Sequence, residues 1–197
     1  PATSNHSISD IEILRTHIKF LTELRPFRSF FHPASLNKCA EYISNLLVGY
    51  GVVSTEQKYP VLLSDYRNVF GTITGKTNRK IIIGAHYDTC MEQPGASDNA
   101  ASVAVLLEMA RILKLKKIDF NHEIVFVFYT LEEPPNFASR NMGSYHHVQS
   151  LRQEKAKVDL MISMDCLGYF TNADVQRYPS QSLSHFLPKH ADFLFFG

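Results

Sequence analysis

Six residues with imidazole or carboxylate side chains stand at or soon after the ends of three apolar runs in this 197-residue sequence. They are His86, Asp88, Asp98, Glu132, Glu133 and Asp165. Carboxylates gathered at one place repel one another unless a cation is bound there. One imidazole among several carboxylates suits zinc, or a related divalent ion, better than magnesium or calcium. A carboxylate that bridges two ions, flanked by terminal His, Glu and Asp ligands, is the arrangement found in two-metal hydrolases.

The spacing of these residues indicates that they have different chemical roles. His86 and Asp88 are two positions apart, so on a strand they face the same side. That suits an imidazole bound to a metal and a carboxylate that orients the imidazole from behind. Glu132 and Glu133 are adjacent, and neighbours on an extended segment point in different directions. One of them therefore suits a metal ligand and the other a general base for an activated water.

The apolar pattern predicts the elements that position these side chains. Residues 81–85, 123–129 and 159–165 read as strands buried on both faces. Helical spacing predicts a helix over 103–113, between the first two strands, and we expect a second helix within 141–153. Alternating strands and helices favour a parallel sheet core with helices on both faces. Open sheets of this kind place their sites at the carboxyl ends of the strands.

The first part of the chain predicts two amphipathic helices and two strands. The first helix begins at a Ser9-x-x-Glu12 capping box and ends before Pro26. The second is capped by Ser35 and ends near Gly49. Strands follow at 52–59 and 68–74, with a turn over 60–67 between them, and the 81–85 strand makes three in succession. This favours antiparallel pairing at one sheet edge, and no linker divides residues 1–197 into separate domains.

Composition excludes several classes of protein. Lys plus Arg is 20 and Asp plus Glu is 19, so no basic stripe indicates a nucleic-acid or anionic membrane partner. No apolar run approaches the roughly 18 residues that a membrane span needs. Cys39, Cys90 and Cys166 are odd in number and lack CxxC spacing, so neither a disulfide framework nor a cysteine-based zinc site follows from them. We expect Cys90 and Cys166 to be buried small hydrophobic residues. Oligomeric state stays open.

Four short motifs occur in an order that resembles a known family. They are GAHYDT at 84–89, SDNA at 97–100, LEEPP at 131–135 and MDCLGY at 164–169. Together they resemble the zinc-dependent aminopeptidases that include bacterial leucyl aminopeptidases and glutamate carboxypeptidase-type enzymes. The resemblance runs from about Pro26 to Phe170. It implies a three-layer α/β/α fold with a mixed, centrally parallel sheet, and the removal of N-terminal residues from peptide substrates.

The resemblance also implies a role for each of the six residues. The metal ligands are His86 and Asp165 for one zinc, Glu133 for a second zinc, and Asp98 as the bridge between the two. Glu132 is then the general base, and Asp88 is the carboxylate behind His86. The family also has a non-proline cis peptide after the residue corresponding to Asp98.

The sequence departs from the family pattern at two places. Ala101-Ser102 stands where the family commonly has Ser-Gly, which we expect to affect helix packing and not metal binding. The family's last ligand is a His in a Ser-Asp-His context downstream of Asp165, and no such motif occurs here. His185 and His190 come too soon. We therefore expect a catalytic domain truncated at its C-terminal end. The resemblance favours an exported protein, although no signal peptide is visible.

Other functions remain open at this stage. The first is a glutaminyl cyclase-like acyltransferase, which uses one zinc, although Asn99 after Asp98 is closer to the peptidase pattern. A carboxypeptidase of the same family is another. From a different class, the chain could be a catalytically inactive binding module with this fold. The intact glutamates argue against that last alternative, whereas the missing His argues for it.

Overall fold

A computed structural model describes residues 9–174 and 189–190 of the chain. The helices are α1 (Ile11–Glu23), α2 (Pro33–Gly49), α3 (Ala101–Leu115) and α4 (Gly143–Gln153). The strands are β1 (Val53–Val61), β2 (Ser64–Ile73), β3 (Arg79–His86), β4 (Glu123–Tyr129) and β5 (Lys157–Ser163). A π-helical turn at Ala96–Ala100 leads into α3. None of the helices in the described ranges has both the length and the apolar character that a membrane span requires.

The five strands form one mixed sheet in the order β1-β2-β4-β3-β5. β3 runs parallel to both of its neighbours, β4 and β5. β2 is antiparallel to β1 and to β4. The prediction of a mixed, centrally parallel sheet is therefore confirmed, but β2 pairs with β4 and not with β3, which follows it in sequence.

Helices cover both faces of the sheet. On one face, Ile83, Phe126 and Phe128 belong to a core that also contains apolar residues of α2 and α3. On the other face, Ile82 and Val125 form a smaller cluster, against which Leu151 of α4 packs. Alternate residues of a strand point to opposite faces, so a strand buried on both faces must be apolar throughout. The predicted three-layer α/β/α arrangement is confirmed.

The turn predicted over residues 60–67 is wrong. β1 and β2 continue as a hairpin in which Tyr59 pairs with Tyr66 and Pro60 pairs with Asp65. Only residues 62–63 lie between the two strands. Pro60 suggested a break because proline cannot donate a hydrogen bond to a neighbouring strand. β1 is an edge strand, however, where that missing donor is tolerated.

Both predicted helix caps are also wrong. The N-cap of α1 is Asp10, whose carboxylate accepts a hydrogen bond from the Glu12 N–H at 2.9 Å. The second helix begins at Pro33, a residue whose fixed φ and missing N–H suit the first helical turn. Ser35 lies inside that helix, and its hydroxyl donates to the carbonyl of Pro26 at 2.7 Å.

β5 was predicted to be buried, and the structure contradicts this. Every residue of the strand is exposed, including Leu160 and Met161. Within residues 9–174 and 189–190, β5 pairs with β3 alone, so it forms one edge of the sheet. An apolar run indicates that a strand is suited to burial, but burial also requires a neighbour that covers it.

The histidines outside the six-residue set are mainly packing or surface residues, as expected. His146 stacks on Tyr59 with ring centroids 3.9 Å apart, and His147 is buried against Phe70. His122 hydrogen-bonds Asp159 at 2.7 Å. The expectations for His185, Phe186 and the apolar segment 193–196 lie outside the described residues.

Buried His147 makes the stability of the fold depend on pH. Its Nδ1 and the hydroxyl of Tyr129 are hydrogen-bonded at 2.8 Å. Burial, helped by the charge of Lys80, lowers the pKa of His147 from 6.5 to about 4. His147 is therefore protonated at a higher pH in the unfolded chain than in the folded chain. The contribution of neutral His147 to the free energy of unfolding is fully present above pH 6.5, and the stability falls by about 3 kcal/mol as the pH drops towards 4.

Urea unfolding at a series of pH values checks this expectation. His147→Gln should lower stability at neutral pH and flatten the slope between pH 6.5 and 4. His146→Gln is the matched control, because the neighbouring ring is less buried, and it should keep most of the slope. An unchanged slope in His147→Gln would contradict the assignment.

Candidate metal centre

Three strands bring the candidate residues to one edge of the sheet. β3, β4 and β5 are parallel, with His86 level with Tyr129 and Gly84 level with Ser163. Their carboxyl ends therefore coincide, and the segments that follow them converge. This alignment places Asp88, the glutamate pair and Asp165 around His86.

His86 is the centre of the cluster. Its side chain is 5% exposed, and its Nε2 lies 3.2 Å from Asp98 Oδ1. The same nitrogen is 3.7 Å from Asp165 Oδ1 and 3.8 Å from Glu132 Oε2. Neither ring nitrogen has a hydrogen-bond partner among the described residues. Buried polar atoms are normally satisfied, so an imidazole surrounded by carboxylate oxygens without a hydrogen bond fits a residue that ligates a cation.

The donor atoms form two overlapping groups. Single donor atoms of His86, Asp98 and Glu133 lie within 4.8 Å of one another, and so do those of Asp98, Asp165 and Cys166. Asp98 belongs to both groups, which is the placement that a bridging carboxylate needs. The structure thus brings all the predicted ligands together, whereas the role of each one stays a prediction.

The electrostatics of His86 reflect this crowding. Burial by itself lowers the pKa of the imidazole, but the carboxylates of Asp165, Asp88 and Glu132 outweigh burial and raise it to about 11. A divalent cation among these carboxylates would remove the stabilisation of the protonated ring and leave the imidazole neutral, as metal ligation requires.

The two glutamates carry the same signature. Burial, followed by the negative charge of Asp98, raises the pKa of Glu133 to about 7. Burial also raises the pKa of Glu132, and the charges of Asp88 and Asp165 add to the effect. The neighbouring negative charges in this partly buried site therefore oppose the ionisation of both glutamates, and a bound cation would relieve that repulsion.

Asp88 makes contacts that its spacing from His86 did not reveal. It is 1% exposed, and its Oδ1 lies 3.5 Å from His86 Nδ1, too far for a strong hydrogen bond. Instead, Oδ1 accepts from the Glu132 N–H at 3.1 Å and Oδ2 accepts from the Glu133 N–H at 3.0 Å. The Asp88 carboxylate, just after the end of β3, therefore holds in place the backbone of both glutamates.

Asp88→Asn tests this backbone anchor. The amide keeps one acceptor oxygen and replaces the other with a donor, which faces a backbone N–H. We expect the free energy of unfolding to fall by about 1–3 kcal/mol and zinc affinity to fall by roughly 10- to 100-fold. Urea unfolding and calorimetric zinc titration measure the two effects.

Thr89→Val is the matched control for that substitution. Thr89 is equally buried, and its hydroxyl has no hydrogen-bond partner within the described part of the chain. Its replacement should change stability and zinc affinity little. If Asp88→Asn behaves like Thr89→Val, the anchoring role is wrong.

Asn99 ties the loop of Asp98 to the end of β5. Its Nδ2 donates to the carbonyl of Met164 at 3.0 Å, and its Oδ1 accepts from the Cys166 N–H at 3.3 Å. The peptide between Asp98 and Asn99 is cis, which confirms the expectation from the resemblance. Asn99 thus holds Asp98 and Asp165 in fixed relation. Its place in the 97–100 motif was the only sequence signal for this contact.

Arg28 is a further positioning residue that sequence reasoning missed. Its side chain is fully buried, and its guanidinium donates to the carbonyls of Leu21 and Tyr87 at 2.8 Å each. It also donates to the carbonyls of Pro94 and Gly95 at 2.6 Å each. The guanidinium therefore fastens both ends of the segment between Asp88 and Asp98. Nothing in the local sequence around Arg28 marks this role.

Similarity to known proteins extends over most of the chain. The uncharacterized protein YfbL of Escherichia coli (strain K12) is 36% identical over 203 residues, which cover 98% of this chain and 61% of that protein. An aminopeptidase of Pseudomonas aeruginosa (strain UCBPP-PA14) is 35% identical over 104 residues, covering 52% of this chain and 18% of that protein. The chain therefore spans less than two thirds of the length of either relative.

A solved structure shows the same fold. Porphyromonas gingivalis glutaminyl cyclase superposes with a TM-score of 0.68 at 22% identity, over 80% of this chain and 59% of that chain. At that identity the likeness concerns the fold alone. A family model matches residues 68–190, a range that contains His86 and all five acidic residues around it. On this match, the chain belongs to Peptidase family M28.

Proposed function

We propose that this chain is the catalytic domain of a zinc-dependent exopeptidase, an aminopeptidase that removes N-terminal residues from peptides. The observation that carries the proposal is the buried His86, whose Nε2 has no hydrogen-bond partner in the described part of the chain and faces Asp98 at 3.2 Å and Asp165 at 3.7 Å. Membership of a peptidase family and the similarity to a Pseudomonas aminopeptidase support the same reaction class.

The donor set suits two zinc ions. His86 Nε2 lies 3.7 Å from Asp165 Oδ1, so these two residues would hold one ion, and Glu133 would hold the other. Asp98 lies in both donor groups and would be shared. When bound, zinc lowers the pKa of a water ligand and polarises the scissile carbonyl. Nitrogen and carboxylate donors are those that zinc prefers, and the distribution of the carboxylates fits two ions better than one.

Glu132 is the proposed general base. It is half-buried at the rim of the cluster, with Oε2 3.8 Å from His86 Nε2, and burial raises its pKa. A carboxylate with a raised pKa accepts a proton from the attacking water and returns it to the leaving amine. Asp88 holds the backbone of Glu132, so the base is fixed relative to the ligands.

The negative charge of the cluster also suits the substrate. Asp98 and Asp165 are exposed, whereas His86 is buried beneath them. A free N-terminal ammonium is attracted to such a surface, which favours an exopeptidase acting at the amino end. A blocked N-terminus lacks that charge.

A glutaminyl cyclase-like acyltransferase is the second candidate. The chain shares its fold with Porphyromonas gingivalis glutaminyl cyclase, so the fold by itself is compatible with this reaction. The Asp98-Asn99 pair and the sequence similarity to an aminopeptidase favour hydrolysis. The two reactions differ in product, because the cyclase closes an N-terminal glutamine on itself and consumes no water.

One assay separates these candidates. The whole protein, loaded with zinc, is incubated with peptides that begin with different free residues, with N-acetylated versions, and with a glutamine-initiated peptide. The proposal expects hydrolysis of free but not acetylated peptides, lost on chelation and restored by zinc. Pyroglutamyl product without hydrolysis would favour the cyclase, and no reaction of any peptide would favour a binding module.

A further inference from the structure

We infer that the thiol of Cys166 is an additional metal donor, so that the ion held beside Asp98 and Asp165 can take a sulfur ligand. The inference rests on the metal site proposed above and adds a donor to it. Cys166 is exposed and not buried, so the expectation that it is a small hydrophobic core residue is wrong. Its Sγ lies within 4.8 Å of a carboxylate oxygen of Asp98 and of one of Asp165.

An independent observation points to the same space. The imidazole of His86 is 95% buried, with 5% of its side chain exposed, and neither of its nitrogens has a hydrogen-bond partner in the described residues. Its Nε2 approaches the same two carboxylates, at 3.2 Å for Asp98 and 3.7 Å for Asp165. The buried imidazole and the Cys166 thiol therefore approach the same two carboxylates, as members of two overlapping donor groups. Nitrogen, sulfur and oxygen donors together are those of zinc and of softer divalent ions.

The backbone holds Cys166 in this place. Its N–H donates to Asn99 Oδ1 at 3.3 Å, and the next N–H, of Leu167, donates to Ser102 Oγ at 3.4 Å. Cys166 itself has φ of 53°, in the left-handed region that non-glycine residues seldom adopt. The backbone therefore turns sharply after Asp165, and the Cys166 side chain lies against the carboxylates of the cluster.

The chemical consequence is a preference among ions. A thiol binds a metal as thiolate, so the S–H bond breaks as the sulfur binds, and the proton passes to solvent. Thiolates favour zinc and cadmium over magnesium, calcium and manganese. The site should accordingly discriminate more strongly for soft ions than a site made only of imidazole and carboxylates.

Cobalt titration of the metal-free protein tests the inference. Bound Co²⁺ has visible d–d bands whatever its ligands, and a thiolate ligand adds a near-ultraviolet charge-transfer band. Wild type should show both, and Cys166→Ser should keep the d–d bands and lose the charge-transfer band. Cys90→Ser is the matched control and should keep both, because among the described residues Cys90 belongs to neither donor group.

The outcomes separate the inference from the metal site on which it rests. A charge-transfer band that is absent in wild type, or retained in Cys166→Ser, overturns sulfur ligation while the d–d bands still report the metal site. Absence of all cobalt bands overturns the metal site and the inference together. Calorimetry gives a second measurement, in which Cys166→Ser should weaken Cd²⁺ binding by about 10-fold or more and leave Mn²⁺ binding unchanged. Equal weakening of both ions would contradict a sulfur ligand.

Discussion

Glu132→Gln is expected to lower kcat of the zinc-loaded protein by roughly 10²- to 10⁴-fold. Glutamine has nearly the same shape as glutamate but cannot accept the proton of the attacking water. The N–H of residue 132 still donates to Asp88, so the backbone of the site stays in place. Zinc content should therefore remain near wild type. Steady-state kinetics on a free N-terminal peptide, with metal analysis of the same sample, measures both quantities.

Glu133→Gln is the matched control for this prediction. It makes the same chemical change at the neighbouring residue, whose carboxylate belongs to a donor group with His86 and Asp98. We expect it to lose zinc affinity as well as turnover, and excess zinc should restore part of its activity. Wild-type turnover in Glu132→Gln would contradict the role of Glu132 as base. Loss of zinc from Glu132→Gln and not from Glu133→Gln would indicate that the two roles are exchanged.

Arg28→Met is expected to lower the free energy of unfolding by about 3 kcal/mol or more, because several buried carbonyls are left without a donor. Methionine fills a similar volume but donates no hydrogen bond, so four carbonyls that now accept from the guanidinium lose their donors. Two of these carbonyls, those of Pro94 and Gly95, precede Asp98 by a few residues. Zinc affinity should therefore fall as well, because the segment that carries the shared carboxylate is released.

Two variants control for Arg28→Met. Arg28→Lys keeps the charge but has one nitrogen in place of the planar fork, so it should lose less stability than Arg28→Met. Arg25→Met removes a nearby guanidinium that donates to the carbonyls of Thr22 and Leu24 in exposed hydrogen bonds and lies 4.0 Å from the centre of the Phe27 ring. This substitution should cost less than about 1 kcal/mol. Urea unfolding in the absence of metal gives all three values. An Arg28→Met variant as stable as Arg25→Met would contradict the role of Arg28 in holding the segment between Asp88 and Asp98.

Much of the fold was predictable because the relevant signals are local. Continuous apolar runs indicated β3 and β4, since central parallel strands are buried on both faces. Helical spacing indicated α3. The β1–β2 hairpin was not recognised because Pro60 reads as a break, and only its place on an edge strand permits it. The prediction that β5 is buried was wrong for a related reason, because the exposure of a strand depends on the elements that pack against it and not on its own composition.

The residue types at the candidate site were predictable, but the contacts that position them were not. His86 is the last residue of β3, Asp165 follows β5, and Asp98 lies in the turn that leads into α3. Parallel strands end at one edge of a sheet. Arg28 is distant in sequence from the carbonyls of Pro94 and Gly95 that it binds. Such long-range contacts between a side chain and backbone carbonyls leave no periodic pattern in a single sequence.

The most direct test of the account is a crystal structure of the zinc-soaked protein with anomalous data at the zinc absorption edge. The account predicts an anomalous peak about 2.0–2.2 Å from His86 Nε2 and from a carboxylate oxygen of Asp98, with Asp165 beside it. A second peak should lie between Asp98 and Glu133, roughly 3.5–4 Å from the first. Zinc bound elsewhere, for example between His122 and Asp159, with no peak at His86, would contradict the central claim.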